Sequence, residues 1–190
     1  MTESSGHGDS RIVLSSDDLK RALARISHEI LERNKGNQDL ILVGVQTRGV
    51  HLAHRLAANI GRFEGFEPPV GSLDPRLFRD DPIQAAGQPV KPTSIPVSLE
   101  GRPVVLVDDV LFTGRTVRAA LNALSDFGRA SRIQFAALVD RGHRELPIRP
   151  DYIGKNIPTG KDERVWVKLE EVDGIDQVDL IRTLPVGAEA

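Results

Sequence analysis

The sequence contains no cysteine, no long apolar run and only a small net charge. Without cysteine the chain can form neither disulfides nor thiolate metal sites, a composition that fits a cytoplasmic protein. No apolar run approaches the roughly 20 residues that span a bilayer, and residues 1–10 are too polar for a signal peptide. The net charge of −2 gives no overall attraction to nucleic acid or membranes, so any RNA contact must come from a local basic patch.

The 190 residues suit one domain with a sizeable core, at residues 11–182, between tails at 1–10 and 183–190. The first tail is rich in Gly and Ser and is expected to be disordered. Ser15 or Ser16 is placed to cap a helix that ends near Gly36. The last part of the domain, about residues 142–182, alternates strand-like pieces (152–157, 165–169 and 178–181) with turns, which predicts a small β-rich hood.

The most informative stretch is residues 104–116. Residues 104–107 are apolar and mostly β-branched, which predicts a buried strand of a parallel sheet. Asp108 and Asp109 follow, and then a loop with Thr113, Gly114 and Thr116 leads into a helical pattern. Such a helix N-terminus attracts anions, because its unpaired N–H groups and its dipole point at the same place. The alternative is that these polar residues only cap the helix.

Residues 104–116 resemble the phosphoribosyl-pyrophosphate (PRPP) loop of the type I phosphoribosyltransferases. The resemblance implies that Asp108 and Asp109 meet the ribose hydroxyls and a Mg²⁺ held largely by PRPP and water. It leaves the catalytic base unknown, because Phe112 stands where hypoxanthine-guanine enzymes carry an aspartate. The residues expected around the 5′-phosphate are Val110, Leu111, Phe112, Thr113, Gly114, Arg115 and Thr116.

A second strand–loop–helix unit spans residues 40–60. Its loop holds Thr47, Arg48 and Gly49, and it is similar to the pyrophosphate loop of the same family; the alternative is an ordinary tight turn. A third apolar strand, at residues 133–139, ends in Asp140. Ligands of open α/β sheets bind outside the carboxyl ends of the strands, so the three loops are expected to converge on one pocket.

Residues 79–93 are rich in proline and poor in large apolar side chains, as in a functional loop. The resemblance implies a flap that closes over PRPP and excludes water. Arg79, Asp80 and Asp81 are the first residues of this flap. Just before it, Pro75-Arg76 stands where relatives have Ile-Thr, and Phe78 stands where they have Tyr. Because proline cannot donate a strand hydrogen bond, the start of the flap is expected to be altered.

Residues 140–159 are similar, nearly letter for letter, to the pyrimidine operon regulators that are also uracil phosphoribosyltransferases. The resemblance runs from about residue 11 to residue 181. It implies the type I phosphoribosyltransferase fold, an α/β structure with a central parallel sheet flanked by helices and a small β-rich hood. The residues expected near uracil are Asp140, Arg141, Lys155, Asn156, Ile157, Pro158 and Thr159.

The same resemblance implies an RNA-binding face made of basic side chains. The alternative is that these side chains form an ordinary solvated surface. Ala24, where some relatives have Thr, is expected to weaken that contact. The residues assigned to the face are Arg25, His28, Arg33, His143, Arg144, Arg149 and Lys155.

Three functions remain open from the sequence. The first is a UMP-dependent RNA-binding regulator of the pyrimidine operon, acting by attenuation at transcription termination or on translation, that also makes UMP from uracil and PRPP. The second is a uracil phosphoribosyltransferase without an RNA partner, and the third is a nucleotide-sensing protein with little turnover. The expected partners are PRPP, uracil, UMP or UTP and a leader stem-loop of the operon mRNA, with no membrane, in a homodimer, tetramer or hexamer.

Overall fold

The computed structural model describes residues 10–80 and 90–182. The predicted tails, apart from Ser10, and most of the predicted flap, including Asp81, lie outside these residues. The strands are β1 (Ser10–Leu14), β2 (Ile41–Val45), β3 (Val70–Leu73), β4 (Pro103–Leu111), β5 (Arg132–Asp140), β6 (Tyr152–Asn156), β7 (Glu163–Lys168) and β8 (Gln177–Arg182). The helices are α1 (Ser16–Asn34), α2 (Arg48–Glu64), α3 (Arg115–Leu124) and the short α4 (Glu170–Asp173).

The centre of the described part of the chain is a five-stranded parallel sheet in the order β3-β2-β4-β5-β6. Its inner strands are buried on both faces, which explains their continuous apolar sequences. On one face Leu42 and Val105 pack with side chains of α1 and α2, and on the other Val43 and Leu106 pack with side chains of α3. The predicted type I phosphoribosyltransferase architecture, a central parallel sheet flanked by helices, is therefore confirmed.

The first helix begins as its sequence predicts. The Ser15 hydroxyl accepts a hydrogen bond from the Asp18 N–H (3.2 Å), and the Asp18 carboxylate accepts one from the Ser15 N–H (3.0 Å), which is a reciprocal capping box. At the other end, Lys35 and Gly36 both have positive φ, and the Gly36 N–H donates to the Leu31 carbonyl (3.1 Å). This left-handed ending stops α1 one residue before Lys35.

The hood is built from a different set of strands than the sequence predicts. The strand at residues 152–156, which the sequence suggests for the hood, is β6 and pairs in parallel with β5 of the central sheet. Among the described residues the hood sheet instead has the order β1-β8-β7, all antiparallel, so it takes its first strand from the beginning of the domain. Ser10, counted with the tail, is the first residue of that strand. No helix in these described ranges is long and apolar enough to cross a bilayer.

Candidate active site

The carboxyl ends of β2 and β4 open onto one cavity of about 270 Å³. Thr47 reaches it from the loop after β2, Asp108 and Asp109 from β4, and Thr116 from the first turn of α3. The predicted strand at 104–107 is longer than expected, because β4 continues through both acids to Leu111. The acids therefore lie on a rigid strand within the sheet and not in a loop beyond it.

Asp108, which is buried, and Asp109, which is partly buried, form an acidic pair. Burial raises the pKa of Asp108 well above its usual range, and the neighbouring charge of Asp109 raises it further. Burial also raises the pKa of Asp109, although the Val110 N–H, which donates to its carboxylate (2.8 Å), and the charge of Arg48 oppose that shift. The pair is therefore poorly solvated as two carboxylates, and a bound cation or sugar hydroxyls would satisfy it.

The turn into α3 has the geometry of an anion site. Gly114 adopts φ 95°, and α3 begins at the next residue, so its first N–H groups face the turn. The loop after β5 supports this turn, because the Glu145 and Leu146 N–H groups both donate to the Thr113 carbonyl, at 3.0 and 3.2 Å. Of the residues expected around a 5′-phosphate, Phe112, Thr113 and Gly114 form the turn and Arg115 and Thr116 begin α3, whereas Val110 and Leu111 belong to the end of β4.

Phe112 joins this turn to the hood. The Arg141 guanidinium lies 4.1 Å from the centre of the Phe112 ring, and the His143 ring meets it edge-on at 5.9 Å. Arg141 is buried and donates to the Thr159 hydroxyl (3.2 Å) and to the Glu163 carbonyl (2.6 Å). Phe112, Arg141 and Thr159 are therefore brought together at the boundary between the sheet and the hood.

The other residues expected near uracil lie in two different environments, one buried at the end of β5 and one exposed. The Ile157 N–H donates to the Asp140 carbonyl (2.8 Å), which places buried Ile157 at the end of β5. The exposed Lys155 instead extends to β1, where its Nζ donates to the Val13 carbonyl (2.9 Å), and Asn156 and Pro158 are exposed. Lys155 therefore braces the hood strand in this structure and does not face the cavity.

Arg48 of the predicted pyrophosphate loop is held by the hood. Its guanidinium makes a two-pronged pair with Asp173, with Nη2 to Oδ1 at 2.7 Å and Nε to Oδ2 at 3.2 Å. Burial would raise the pKa of Asp173, but hydrogen bonds from Arg48 and from the Leu169 N–H outweigh burial, and the pKa lies below its usual range. Asp173 therefore carries the charge that orients Arg48.

Replacing Asp173 by Asn is expected to raise the KM for PRPP about threefold to tenfold, because Arg48 loses its orienting partner. The folded protein should lose about 1–2 kcal/mol at neutral pH. Because the pKa of Asp173 is lowered in the folded state, this difference is present above the ordinary value of 3.8 and shrinks as the pH falls through the folded pKa. Steady-state kinetics and thermal melts across pH measure both effects.

The matched control for this change is Glu171→Gln on the same short helix. Glu171 pairs with Arg55, at 2.6 Å, and not with Arg48. The control should therefore affect stability without changing the KM for PRPP; an equal rise in KM in both variants would show that Asp173 acts only by anchoring the hood.

The segment around the predicted flap carries the cations that sequence reasoning missed. Arg76 and Lys91 line the cavity together with Arg79. Pro75 does not interrupt a strand, because β3 ends at Leu73 and Pro75 precedes a short 3-10 helix, Arg76–Phe78. The sequence feature that could have drawn attention to Arg76 is that Pro75-Arg76 stands where relatives have Ile-Thr. Lys91 and Asp173 gave no comparable signal, since their partners Thr47 and Arg48 lie far away in sequence.

The start of the predicted flap contacts the first turns of α3. Arg79 donates to the Thr116 hydroxyl, and Asp80 pairs with both Arg115 and Arg118, each at 2.7 Å. These contacts lower the pKa of Asp80, although burial opposes them. The cations of α3 therefore engage the flap at its first described residues.

The residues assigned to an RNA-binding face form two groups. Along β6, Arg25 donates to the carbonyls of Ile153 and Gly154, both at 2.8 Å, and Arg33 pairs with Asp151 (3.0 Å). His28, on the same helix, stacks on Phe63 with ring centres 4.0 Å apart. This first group is a surface of α1 and β6 in which each of these three side chains already contacts another residue.

The second group lies beside Phe112. Arg144 donates to the carbonyls of Phe112 (2.6 Å) and Ile148 (2.9 Å) and pairs with Asp140. The ring of His143, at Nε2, hydrogen-bonds the Thr159 carbonyl at 2.7 Å. Arg144 therefore holds the loop after β5 in place, whereas Arg149, later in that loop, is exposed.

Comparison with protein families agrees with this architecture. The model of the phosphoribosyl transferase domain matches residues 12–173, so the chain belongs to the phosphoribosyltransferase family. Two similar solved structures are hypoxanthine phosphoribosyltransferases. That of Trypanosoma cruzi has a TM-score of 0.70 at 16% identity, covering 92% of this chain and 97% of that one. That of Staphylococcus aureus has 0.67 at 19% identity, covering 99% and 100%. At these identities they show the fold alone.

Comparison with curated relatives shows to which group of phosphoribosyltransferases the chain belongs. The chain is 60% identical to the Bifunctional protein PyrR of Deinococcus radiodurans over 169 residues, covering 88% of this chain and 92% of the relative. It is 56% identical to that of Chloroflexus aurantiacus over 176 residues, covering 92% and 97%. Within the phosphoribosyltransferases, the chain therefore belongs with the bifunctional PyrR proteins.

Proposed function

We propose that the protein binds RNA in a UMP-dependent manner to regulate pyrimidine gene expression, and that it also converts uracil and PRPP to UMP and pyrophosphate. The observation that carries the catalytic part is the shared cavity of Asp108, Asp109, Thr47 and Thr116. It offers hydroxyl acceptors between two anion-binding loops, which matches a ribose with phosphate groups at both ends. Membership among bifunctional PyrR proteins supports the second activity.

In the proposed reaction the bond between the sugar carbon C1′ and the pyrophosphate oxygen breaks, and a bond from uracil N1 to C1′ forms. Asp108 and Asp109 bind the ribose hydroxyls, near the positive charge that develops on the sugar. The charge of Arg48 opposes the rise in the pKa of Asp109, and in the proposed reaction Arg48 would stabilise the charge that the leaving pyrophosphate gains. Phe112 supplies an apolar ring and no base, and the N1 proton passes to solvent.

The residues present fit a Mg²⁺ that is shared with the substrate. Asp108 and Asp109 provide hard oxygen ligands, and because burial raises the pKa of both carboxyls, a nearby cation would stabilise their charged forms. Within residues 10–80 and 90–182 no cluster of three or more His, Asp or Glu side chains forms a metal site, so PRPP and water would supply the other ligands. When bound, Mg²⁺ neutralises charge on the pyrophosphate.

The regulatory part of the proposal places a leader stem-loop of the pyrimidine operon mRNA on the α1 and β6 surface and the exposed Arg149. Cations there would contact phosphates, and unpaired bases of the loop would supply sequence specificity. A homodimer would double the surface, and tetramers or hexamers would extend it. UMP or UTP would act from the catalytic cavity, and the protein would work in the cytoplasm.

Two measurements on the wild-type protein test the proposal. Pyrophosphate release from PRPP should depend on added uracil and Mg²⁺, and leader RNA in a filter-binding titration should bind more tightly with UMP. Turnover without specific RNA binding would reduce the function to a uracil phosphoribosyltransferase. Specific, UMP-dependent RNA binding without turnover would leave a nucleotide-sensing regulator.

Arg149→Ala is expected to weaken leader RNA binding about fivefold and to lower the slope of log K against log salt by about one, as for one lost phosphate contact. Arg149 suits this test because it is exposed, whereas removing Arg144 would also release the loop beside Phe112. Arg129→Ala, an exposed arginine before β5, is the matched control and should leave affinity and slope unchanged. Equal behaviour of the two variants would remove Arg149 from the interface.

A further inference from the structure

The buried carboxylate of Asp74 binds both nearby Arg76 and Lys91, which is 17 residues away from Asp74 in the sequence. It lies just after β3 and is 4% exposed. It accepts hydrogen bonds from the Arg76 Nε (2.9 Å), from the Arg76 N–H (3.1 Å) and from the Lys91 N–H (2.7 Å). Through these bonds one side chain fixes the direction of the Arg76 guanidinium and the backbone position of Lys91.

Both cations held in this way face the catalytic cavity. Arg76 and Lys91 line it together with Asp108 and Asp109, and the Arg76 side chain is only 19% exposed. Lys91 Nζ donates to the Thr47 hydroxyl at 2.8 Å, which places its charge at the loop expected to hold pyrophosphate. The cavity therefore has a cationic wall beside the Thr47 loop.

We propose that Arg76 and Lys91 bind the pyrophosphate group of PRPP and that Asp74 is the residue that positions them. This assignment rests on the proposed function and extends it by adding two ligand-contacting cations to Arg48. A diphosphate carries several charges at neutral pH, and arginine and lysine can share them as a planar fork and a point charge. Asp74 keeps the fork oriented before the ligand arrives, so less side-chain entropy is lost on binding.

Isothermal titration of the protein with inorganic pyrophosphate in excess Mg²⁺ tests the assignment without requiring turnover. Arg76→Gln and Lys91→Gln are each expected to raise the Kd for pyrophosphate about tenfold, the typical loss of one charge-assisted hydrogen bond. Arg132→Gln, at the opposite end of the sheet where β5 begins, removes the same charge and should leave the Kd unchanged. Unchanged Kd values in both cavity variants, with wild-type melting curves, would overturn the proposal.

A double-mutant cycle separates positioning from general stability. Asp74→Asn should weaken pyrophosphate binding in the wild type but should cause a smaller loss in the Arg76→Gln background, because only the part of its effect that passes through Lys91 remains there. Additive losses would overturn the positioning role. The double variant also removes both members of the ion pair, so it stays measurable if Arg76→Gln alone unfolds by leaving Asp74 buried and unpaired.

Kinetics then relate the binding data to the proposed reaction. With uracil as acceptor, Arg76→Gln and Lys91→Gln should raise the KM for PRPP about tenfold and leave the KM for uracil unchanged. If the wild type shows no uracil-dependent turnover while the variants still bind pyrophosphate more weakly than the wild type, the proposed reaction is wrong and the anion site remains. If turnover is normal and pyrophosphate binding is unaffected, the anion site fails and the reaction remains.

Discussion

Asp108→Asn is expected to lower kcat/KM for PRPP and uracil by about 10²–10³-fold, and to make the ligand-free protein more stable at neutral pH. The activity falls because a neutral amide cannot place a negative charge beside the sugar when positive charge develops there. The stability rises because burial and Asp109 disfavour the charged form of Asp108, which raises its pKa. Asparagine has nearly the same shape and removes that cost.

The raised pKa also predicts how the stability difference between Asp108→Asn and the wild type changes with pH. A carboxyl whose pKa is raised in the folded state is most favourable below its unfolded value of 3.8, and this contribution is lost as the pH rises through the folded pKa. The melting temperature of Asp108→Asn should therefore match that of the wild type in acid and exceed it increasingly toward neutral pH. Melting curves of both proteins over that range, with no Mg²⁺ or PRPP present, provide the measurement.

Asp126→Asn serves as the control for this experiment, because Asp126 is exposed in the short 3-10 helix after α3. It should change neither activity nor the pH dependence of melting. A wild-type level of turnover in Asp108→Asn would remove Asp108 from the reaction, and a uniform loss of stability at every pH would show that its carboxylate is well satisfied in the ligand-free fold.

Gly49→Ala is expected to lower the melting temperature by about 5–10 °C and to abolish most PRPP binding. A Cβ at Gly49 would lie 2.4 Å from the Val107 carbonyl oxygen of β4, closer than any real contact. The first turn of α2 would have to move away from β4 and would carry Thr47 and Arg48 away from Asp108. Overpacking of this kind costs about 1–3 kcal/mol, and each kcal/mol shifts melting by about 2–4 °C in a domain of this size.

Gly61→Ala in the same helix is the matched control. Its added Cβ would meet the Glu67 side chain at 3.3 Å, a tight contact with a group near the helix end and not with a buried carbonyl. The higher helix propensity of alanine opposes that contact, so melting should change by no more than about 2 °C. Equal melting curves for both variants would mean that α2 and β4 can separate freely at Gly49.

Local patterns predicted the parts of the molecule that depend on neighbouring residues in sequence. The apolar strands, the helix cap predicted at Ser15 or Ser16 and found at Ser15, and the turn at Gly114 follow from short-range sterics and hydrogen bonding. Leu121 is an exception. It shares the spacing of one apolar helix face with Val117, Ala120 and Leu124, which predicts burial, but the structure leaves it 36% exposed. Helical spacing gives a stripe of about the right width but cannot show where the neighbouring sheet ends.

The membership of each strand in a sheet was beyond such patterns. Residues 152–157 were predicted as a strand of the hood and residues 10–14 were not assigned to a strand, yet β6 joins the central sheet and β1 joins the hood. The choice depends on which edges have unpaired backbone groups, and those edges are formed by strands far away in the chain. A strand's sequence records its burial but not its partner.

The sequence alone determined the family and located the acidic pair and the two turns that are predicted to bind anions, because each is a short motif whose chemistry is contained in adjacent residues. Only the tertiary structure decided which charges act together: Asp173 with Arg48, Asp74 with Arg76 and Lys91, and Lys155 with β1 instead of the cavity. These pairings bring together residues from different elements, and electrostatic interactions depend on distance in space and on burial, neither of which sequence separation records.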